Sequence, residues 1–430
     1  MTGESISALT RGANPRSAIR NPQSRRRGSI YLHVLSSSLL ITVLGLAALA
    51  AVRLQMRSSR LTRDYAEARA CAISGVELGL LYVKQDGAWR TTRPNGTWIQ
   101  EVALGSGRFT LQGIDPKDNV LSNSAYEPLI LTGIGTKGLA RHKAQVTLVA
   151  VVKPLDVLNT CLAASGNVQI KAGKRITLVG ASLSTNSQLN NDGTIDGSAQ
   201  AQTINHVGTI TGTLTVPAPN RRMPAAPLMA EYISKATAVP FTGTIDKAVL
   251  APGCNPWGPT DPNGLYCIDT NGSDLIIKNT RIYGTLIVKI SGKTLTLDNA
   301  VFFQNYRPDF PTLLVDGNVV IKYSSATLAL SEVLTLKNYN PVGALFEDVW
   351  DIDILDVYPN EIRGLVHVKG NLSLQQSARI VGAVICEGAV TCEEANTITH
   401  NAGLYSAPPQ GYTYVEGMQI SGHSWKQVVD

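Results

Sequence analysis

The chain has 430 residues, of which 44% are hydrophobic, 16% charged and 6% aromatic, with 38 glycines and a formal net charge of +6. This composition is too apolar for a disordered chain and too polar for a polytopic membrane protein, and it favours narrow stacked β-sheets over a broad helical core. Residues 1–69 hold eleven arginines against three carboxylates. The basic residues therefore flank the first apolar segment, which argues against a nucleic-acid-binding body and for a membrane segment.

Residues 1–28 are polar and end in Arg25-Arg26-Arg27-Gly28. We interpret them as a disordered basic leader, because Ser, Asn, Pro and Arg dominate and few apolar side chains are available to form a core.

Residues 30–52 form a long apolar segment, 23 residues without Asp, Glu, Lys or Arg. At about 1.5 Å per residue, this length is enough to cross a bilayer core. It exceeds the apolar core of a cleaved signal peptide, so we expect it to remain as an anchor. Arginines are slightly more numerous before the segment than after it, which favours a cytoplasmic N-terminus. We therefore expect a single-pass inner-membrane protein with a periplasmic or extracellular body.

Residues 53–83 continue the helical pattern, with small or apolar side chains every three or four positions. From residue 53 onward, the first proline is Pro94. The sequence thus predicts a membrane helix and its extramembrane continuation over residues 29–83. Ala68, Ala72, Gly75 and Gly79 make one face small. A face of this kind allows close approach of another helix.

Residues 84–158 form a small β region. The runs GRFTLQGI, EPLILTGIGT and AQVTLVAVV alternate and are rich in β-branched residues, which predicts an antiparallel sheet against the helix. The isolated glycine pair Gly133 and Gly135 is interpreted as a turn.

From residue 159 to residue 405, short β runs are separated by Gly, Asn and Ser. Three pieces with the pattern Gly-Asn-apolar-x-apolar begin at Gly166, Gly317 and Gly370, and a related piece begins at Gly284. Such units predict coils of a β-solenoid with Gly and Asn at the corners. Period-two alternation predicts that one set of side chains shares an apolar interior: Val168, Ile170, Val319, Ile321, Leu372 and Leu374. It places another set outside: Gln169, Val320 and Ser373.

A Pro-rich stretch, residues 217–265, is expected to interrupt the solenoid. It contains PLMAEYISKA, a predicted helix that lies outside the coils or caps them. Residues 406–430 are expected to be a C-terminal tail.

The N-terminal third resembles a known family. The basic run ending in Gly28, the apolar helix, and YAEARACAISGVELGLLYV from Tyr65 to Val83 are similar to PilX-type minor pilins and large type II secretion pseudopilins. Over about residues 25–152, the resemblance implies a prepilin peptidase cut between Gly28 and Ser29 and a pilin-type sheet. It also implies packing with other pilin or pseudopilin subunits through the helix. A Glu that major pilins carry soon after the cut is replaced here by His33.

The expected fold is therefore mainly β. It comprises a long N-terminal transmembrane and amphipathic helix, a small pilin-like antiparallel sheet and an irregular β-solenoid domain.

Six cysteines occur, and two of them, Cys254 and Cys267, bracket a loop with little helix or strand signal. In an oxidising compartment a disulfide between them would stabilise the fold by about 2–4 kcal/mol. Cys386 and Cys392 either pair or face the solenoid interior as small apolar groups. Zinc-type spacing is absent, so we expect no metal and no cofactor.

The stretch FEDVWDIDILDVYPNE holds six carboxylates. One interpretation is a Ca²⁺ site or the acidic groove of a polysaccharide-cleaving β-helix. The favoured interpretation is a solvated acidic face. It would alternate with four residues pointing inward: Val349, Ile352, Ile354 and Val357.

The sequence thus favours a membrane-anchored structural component of a type IV pilus or type II secretion-like assembly, and not an enzyme. Its expected partners are membrane lipid and other pilin or pseudopilin subunits. Surface polysaccharide is left open as a further partner, and no nucleic acid is expected. One alternative is a membrane-tethered β-helix that binds or cleaves surface polysaccharide, and another is an anchored envelope protein with no filament role.

Overall fold

The structure is a computed structural model that describes residues 27–324 and 329–428. Residues 1–26 of the predicted leader lie outside the described residues. The chain divides into two compact units. Among the described residues, the first comprises those up to Asn123, Pro128–Leu148 and those from Ile420, and the second comprises Ser124–Glu127 and the residues between Val149 and Gln419.

The helices are α1 (Arg27–Gln85), α2 (Trp89–Thr92), α3 (Leu228–Lys235), α4 (Glu332–Thr335) and α5 (Gly403–Ser406), with a 3₁₀ turn at Asp156–Asn159. The strands up to the middle of the chain are β1 (Gly96–Leu104), β2 (Gly107–Ile114), β3 (Leu129–Lys137), β4 (Ala140–Pro154), β5 (Leu162–Ala164), β6 (Val168–Ile170), β7 (Arg175–Val179), β8 (Leu183–Thr185), β9 (Gln188–Asp196), β10 (Ala199–Gln200), β11 (Thr203–Ile210) and β12 (Leu214–Thr215). The later strands are β13 (Thr237–Val239), β14 (Thr244–Asp246), β15 (Val249–Leu250), β16 (Leu265–Asp269), β17 (Leu275–Tyr283), β18 (Thr285–Gln304), β19 (Leu313–Tyr323), β20 (Leu330–Ser331), β21 (Val357–Tyr358), β22 (Glu361–Val368), β23 (Leu372–Gln376), β24 (Arg379–Cys386), β25 (Val390–Cys392), β26 (Asn396–His400), β27 (Thr413–Ile420) and β28 (Lys426–Val428).

The first unit is a long helix packed on an antiparallel sheet. α1 runs for 59 residues without a break, because helix formers dominate and no proline interrupts it. Strands β1 to β4 pair in order as antiparallel neighbours, and β28 pairs with β4. β2 alternates buried and partly exposed residues, as expected for a strand with one covered face.

The second unit is a β-solenoid of parallel coils, as the sequence predicted. Twenty of the strands in the described residues, from 2 to 20 residues long, join one continuous sheet. Equivalent positions of successive coils stack in register, and one inward row runs through seven strands: Ile170, Cys392, Leu374, Ile321, Leu297, Ile277 and Ile245. The six residues predicted to face inward all lie in one buried apolar cluster. Gln169 is exposed, and Val320 and Ser373 are partly exposed, so the predicted alternation is confirmed.

The order of coils along the stack differs from their order in the chain. The first coil, β5 to β7, stacks between the next coil and the last one, β24 to β26. From β5 to β12 the chain adds coils in one direction along the stack. The next coil, which begins with β13, lies at the opposite end, and the later coils stack in chain order from there back to the first coil. Residues 237–250, within the segment predicted as an insertion at 217–265, form the end coil β13 to β15.

The Gly-Asn pairs form a ladder at one corner of the solenoid. The amide of Gly370 donates to the carbonyl of Gly317 (2.9 Å), and a Cβ on Gly370 would lie 2.5 Å from the backbone of Gly317. The side-chain oxygen of Asn318 accepts the amide of Asn371 one coil away (2.9 Å). Glycine permits the close stacking, and asparagine replaces a backbone acceptor at the turn. Gly284 lies at a different corner. In the strand that follows Gly284, the residue that pairs with Asn318 is Thr294, which is ten residues further along the chain.

One outer side of the solenoid is covered by α3, as expected for a helix outside the coils. Leu228, Met229 and Tyr232 of α3 are buried against outward side chains of several coils. The hydroxyl of Tyr232 donates to the carbonyl of Gln410 (2.8 Å). This apolar side therefore forms a second core with α3 and the 403–412 segment.

Candidate functional site

The N-terminal half of α1 is exposed over its whole circumference. Every described side chain from Ser29 to Arg60 is exposed, including Leu35 at 71% and Ile41 at 69%. By length and composition this end of α1 can cross a membrane. An apolar surface of this size needs a lipid or protein partner, so the helix is a candidate anchor or signal.

The polar residues within the apolar segment do not oppose insertion into lipid. Ser37 and Ser38 donate to the carbonyls of His33 (2.8 Å) and Leu35 (2.9 Å), and Thr42 donates to that of Ser38 (2.8 Å). Hydroxyls that bond back to the preceding turn need no water.

C-terminal to the apolar segment, Glu67 connects α1 to the sheet of the first unit. Its carboxylate accepts a short hydrogen bond from Ser106 and lies 3.4 Å from the ammonium of Lys137 and 3.3 Å from Arg63. The Ser106 hydrogen bond, followed by those from Lys137 and Arg63, lowers the pKa of Glu67. In this chain the Ala66-Glu67-Ala68 motif therefore fixes the helix on the strand ends.

The small face of α1 packs on a strand of its own sheet, so the element that approaches it closely at these residues is a β-strand and not another helix. A Cβ on Gly133 would lie 1.9 Å from the carbonyl oxygen of Ala72, and one on Gly135 would lie 1.9 Å from that of Ala68. Both glycines lie inside β3, which corrects the interpretation of this pair as a turn. Helix and strand backbones touch because neither carries a large side chain here.

The predicted Cys254–Cys267 disulfide is not formed, since all six cysteines are free. Cys254 packs against the cluster around Phe302, whereas Cys267 lies beneath α3. Burial raises the pKa of Cys267 to about 11. Cys386 and Cys392 face the solenoid interior, which agrees with one of the two alternatives.

The acidic stretch lies in the 329–360 segment, which connects β19 to β22 and covers part of the solenoid. Its inner side is held by two buried charged residues. Arg281 is 1% exposed and donates to the carbonyls of Tyr339 (2.7 Å), Ala344 (2.6 Å) and Leu345. Burial lowers the pKa of Arg281 to about 10.

The second buried group is Glu332, which is 0% exposed. Its carboxylate accepts the amides of Tyr339 (2.5 Å) and Asp356 (3.1 Å) and the hydroxyl of Tyr358 (3.1 Å). Glu332 thus organises the segment from within.

The predicted inward packing within the acidic stretch is wrong. Val349 is 58% exposed, Ile352 88%, Ile354 37% and Val357 58%. Buried tyrosines occupy the inner side instead, and Tyr358 packs with Phe302 and Phe346. The segment forms only two short strands, so period-two alternation does not apply.

Sequence reasoning did not identify His367, which is 2% exposed beneath the C-terminal segment. Its Nδ1 lies 2.9 Å from the hydroxyl of Tyr412, and its Nε2 lies 3.0 Å from a carboxylate oxygen of Glu387. These partners are 45 and 20 residues away in the chain, so no local pattern could indicate them.

No family model matches the chain, and a search of curated proteins finds no match. Among solved structures, competence-associated pilin ComZ from Thermus thermophilus is 13% identical with a TM-score of 0.26, covering 85% of this chain and 98% of the other. An ice-binding protein from the Antarctic ascomycete Antarctomyces psychrotrophicus is 13% identical with a TM-score of 0.28, covering 58% and 99%. One from Shewanella frigidimarina is 11% identical with a TM-score of 0.27, covering 58% and 98%. Similarities this weak assign neither a family nor a function.

Proposed function

We propose that the chain is a membrane-anchored structural component of a type IV pilus or type II secretion-like assembly. In this proposal the N-terminus is cytoplasmic and the solenoid body is exported. The observation that carries it is the unbroken helix Arg27–Gln85, whose first half is apolar and exposed and whose second half packs on an antiparallel sheet. The first half has the length to lie in a bilayer before assembly and among other helices afterwards.

The proposed role is architectural rather than catalytic. The solenoid interior is a largely apolar cluster that runs through the coils, and the buried Arg281 and Glu332 hold a surface segment through hydrogen bonds to its backbone. Such a body acts as a rigid spacer or display platform, with membrane lipid and other subunits as partners of the helix.

Processing and filament incorporation are tested together in the source bacterium. We expect mass spectrometry to find a new N-terminus at Ser29 and the processed chain to appear in sheared surface filaments. Gly28→Glu should abolish both, whereas Gly12→Glu in the same leader should change neither. An intact leader in cells with active prepilin peptidase, together with a chain that never leaves the membrane fraction, would refute the pilin-like role.

Topology is tested separately by reporter fusions after residue 90. An exported reporter should be active there and a cytoplasm-only reporter inactive. Activity of the cytoplasmic reporter at this position would reverse the proposed orientation.

Polysaccharide binding remains a second candidate because of one feature of the second unit. A cleft of about 400 Å³ has five lining residues whose side chains can form hydrogen bonds: Gln304, Asn305, Arg363, Asn401 and Ser406. If the cleft binds saccharide, residues 53–430 should bind envelope polysaccharide in calorimetry, and Asn401→Ala should weaken binding at least tenfold. No heat of binding from the parent protein would eliminate this candidate.

A further inference from the structure

The outer side of the 329–360 segment is unusually apolar for a surface. Eleven large hydrophobic side chains within 25 residues are more than a third exposed: Val333, Leu334, Leu336, Val342, Leu345, Val349, Trp350, Ile352, Ile354, Leu355 and Val357. Elsewhere in the described body such residues are fewer, as in residues 102–126, which hold four: Val102, Leu104, Val120 and Tyr126. Concentrated exposure of this kind marks an interaction surface.

The same surface is acidic. Residues 333–357 contain five carboxylates and one lysine, and Glu347, Asp348 and Asp353 are exposed. Anionic lipid headgroups repel such a surface. Its complement is therefore a protein surface that is both apolar and cationic.

The chain itself carries a surface of that description. In α1, Leu54, Met56 and Leu61 are 67%, 60% and 57% exposed, and the exposed Arg57 and Arg60 lie between them. No carboxylate occurs between Val52 and Asp64. At about 1.5 Å per residue, Arg57 and Arg60 lie roughly 8–12 Å beyond the apolar segment, outside the hydrocarbon core.

We propose that the 329–360 segment of one copy docks on residues 54–61 of α1 of a second copy. The two surfaces differ, so the contact is heterologous and each copy keeps one surface available for the next. Such contacts propagate into rings or open helical filaments. The inference rests on the proposed assembly role and names the contact that would join adjacent bodies.

The test uses two differently tagged full-length copies, expressed together and recovered from mild detergent through one tag. Reversing the acidic side (Glu347→Lys with Asp353→Lys) in both copies should lower recovery of the second tag at least tenfold, as should reversing the basic side (Arg57→Glu with Arg60→Glu). Combining all four changes in one chain should restore recovery, because both surfaces then carry reversed charges and attract each other again. Loss in the combined variant equal to that of the single-side variants would overturn the pairing.

Two matched controls separate docking from misfolding. Ile352→Ser should reduce recovery, whereas Val179→Ser, which is 47% exposed on another part of the body, should not. Asp192→Lys, also exposed, should leave recovery unchanged, and thermal unfolding of every variant should match the parent. If Ile352→Ser instead leaves recovery unchanged and weakens binding of residues 53–430 to phosphatidylglycerol–phosphatidylethanolamine vesicles, a membrane occupies the surface and the proposal is wrong.

The outcome is independent of filament incorporation. Processed chains in sheared filaments with unchanged recovery in the reversed variants would overturn this contact and leave the assembly role. Charge-dependent recovery without filament incorporation would retain the contact and remove the pilus role.

Discussion

At the scale of single residues, glycines decide how closely backbones approach. In the first unit, Gly133 and Gly135 of β3 face Ala72 and Ala68 of α1, and in the solenoid Gly370 faces Gly317. Neither role follows from a positive φ. Each reflects a neighbouring backbone that leaves no volume for a Cβ.

Gly133→Ala is expected to destabilise the first unit by about 1–3 kcal/mol, because its Cβ would collide with the Ala72 carbonyl. Thermal unfolding of residues 53–430 would measure the change. Gly87→Ala is the control, since nothing lies within 4 Å of its Cβ position. Equal melting temperatures for the two variants would contradict the close packing of α1 on β3.

His142 should make the stability of the first unit depend on pH. Its side chain is 5% exposed, and its Nδ1 lies 3.1 Å from the Tyr65 hydroxyl. Burial, and then the charge of Arg69, lower the pKa of His142 below 6.5. The unfolded chain therefore binds the proton first as the pH falls, so the stability contributed by neutral His142 is complete above pH 6.5 and decreases below it.

We expect hydrogen exchange of the β3 amides to accelerate between pH 7.5 and 5.5, after correction for the intrinsic exchange rate. His142→Gln should flatten this dependence, whereas His423→Asn, at an exposed position, should leave it unchanged. The same pH dependence in His142→Gln would assign it to another group.

At the scale of elements, the solenoid depends on stacked rows and the 329–360 segment depends on its anchors. A row residue touches equivalents one coil above and below, so its replacement affects several coils. The segment has few regular hydrogen bonds of its own and relies on Arg281 and Glu332.

Ile321→Asp should cost more than about 4 kcal/mol, because it buries a carboxylate among apolar side chains. Chemical denaturation of residues 53–430 would show the loss. Gln169→Asp, on the outer side, should stay within about 0.5 kcal/mol. Ser373 is a poorer control, since its hydroxyl lies 3.4 Å from a carboxylate oxygen of Glu393. Similar costs at 321 and 169 would contradict the inside-outside assignment.

Arg281→Met should release the 329–360 segment, since three carbonyls lose their donor, at a cost of about 2–4 kcal/mol. Limited proteolysis should then cleave between residues 337 and 355 while the coils remain intact. Arg175→Met is the control and should not change the cleavage pattern. It removes only the ion pair with Asp196, in which the arginine side chain is 59% exposed. Protection equal to the parent's would show that Glu332 and the buried tyrosines hold the segment without Arg281.

At the scale of the whole molecule, the apolar half of α1 dominates solubility. Removing residues 1–52 deletes the apolar part of α1, the only described helix that is long and apolar enough to cross a membrane, while every buried residue remains. Residues 53–430 should therefore be soluble without detergent and keep the far-ultraviolet spectrum of a β-rich protein, whereas the full chain should partition into detergent. Aggregation of the truncated chain with loss of its β spectrum would show that the body needs the span to fold.

The sequence by itself determined features that rest on local patterns. The apolar helix follows from 23 consecutive residues without Asp, Glu, Lys or Arg. Its continuation follows from helical periodicity, and the coils follow from period-two alternation with Gly-Asn corners. Tertiary structure alone decided the order of coils, the strand partner of the small helix face, the buried Arg281 and the exposed outer side of the 329–360 segment. The physical reason is distance along the chain: β7 pairs with β26, and Arg281 binds carbonyls 58 to 64 residues away. Local sequence propensity carries no information about such contacts, because they join residues that come together only in the folded chain.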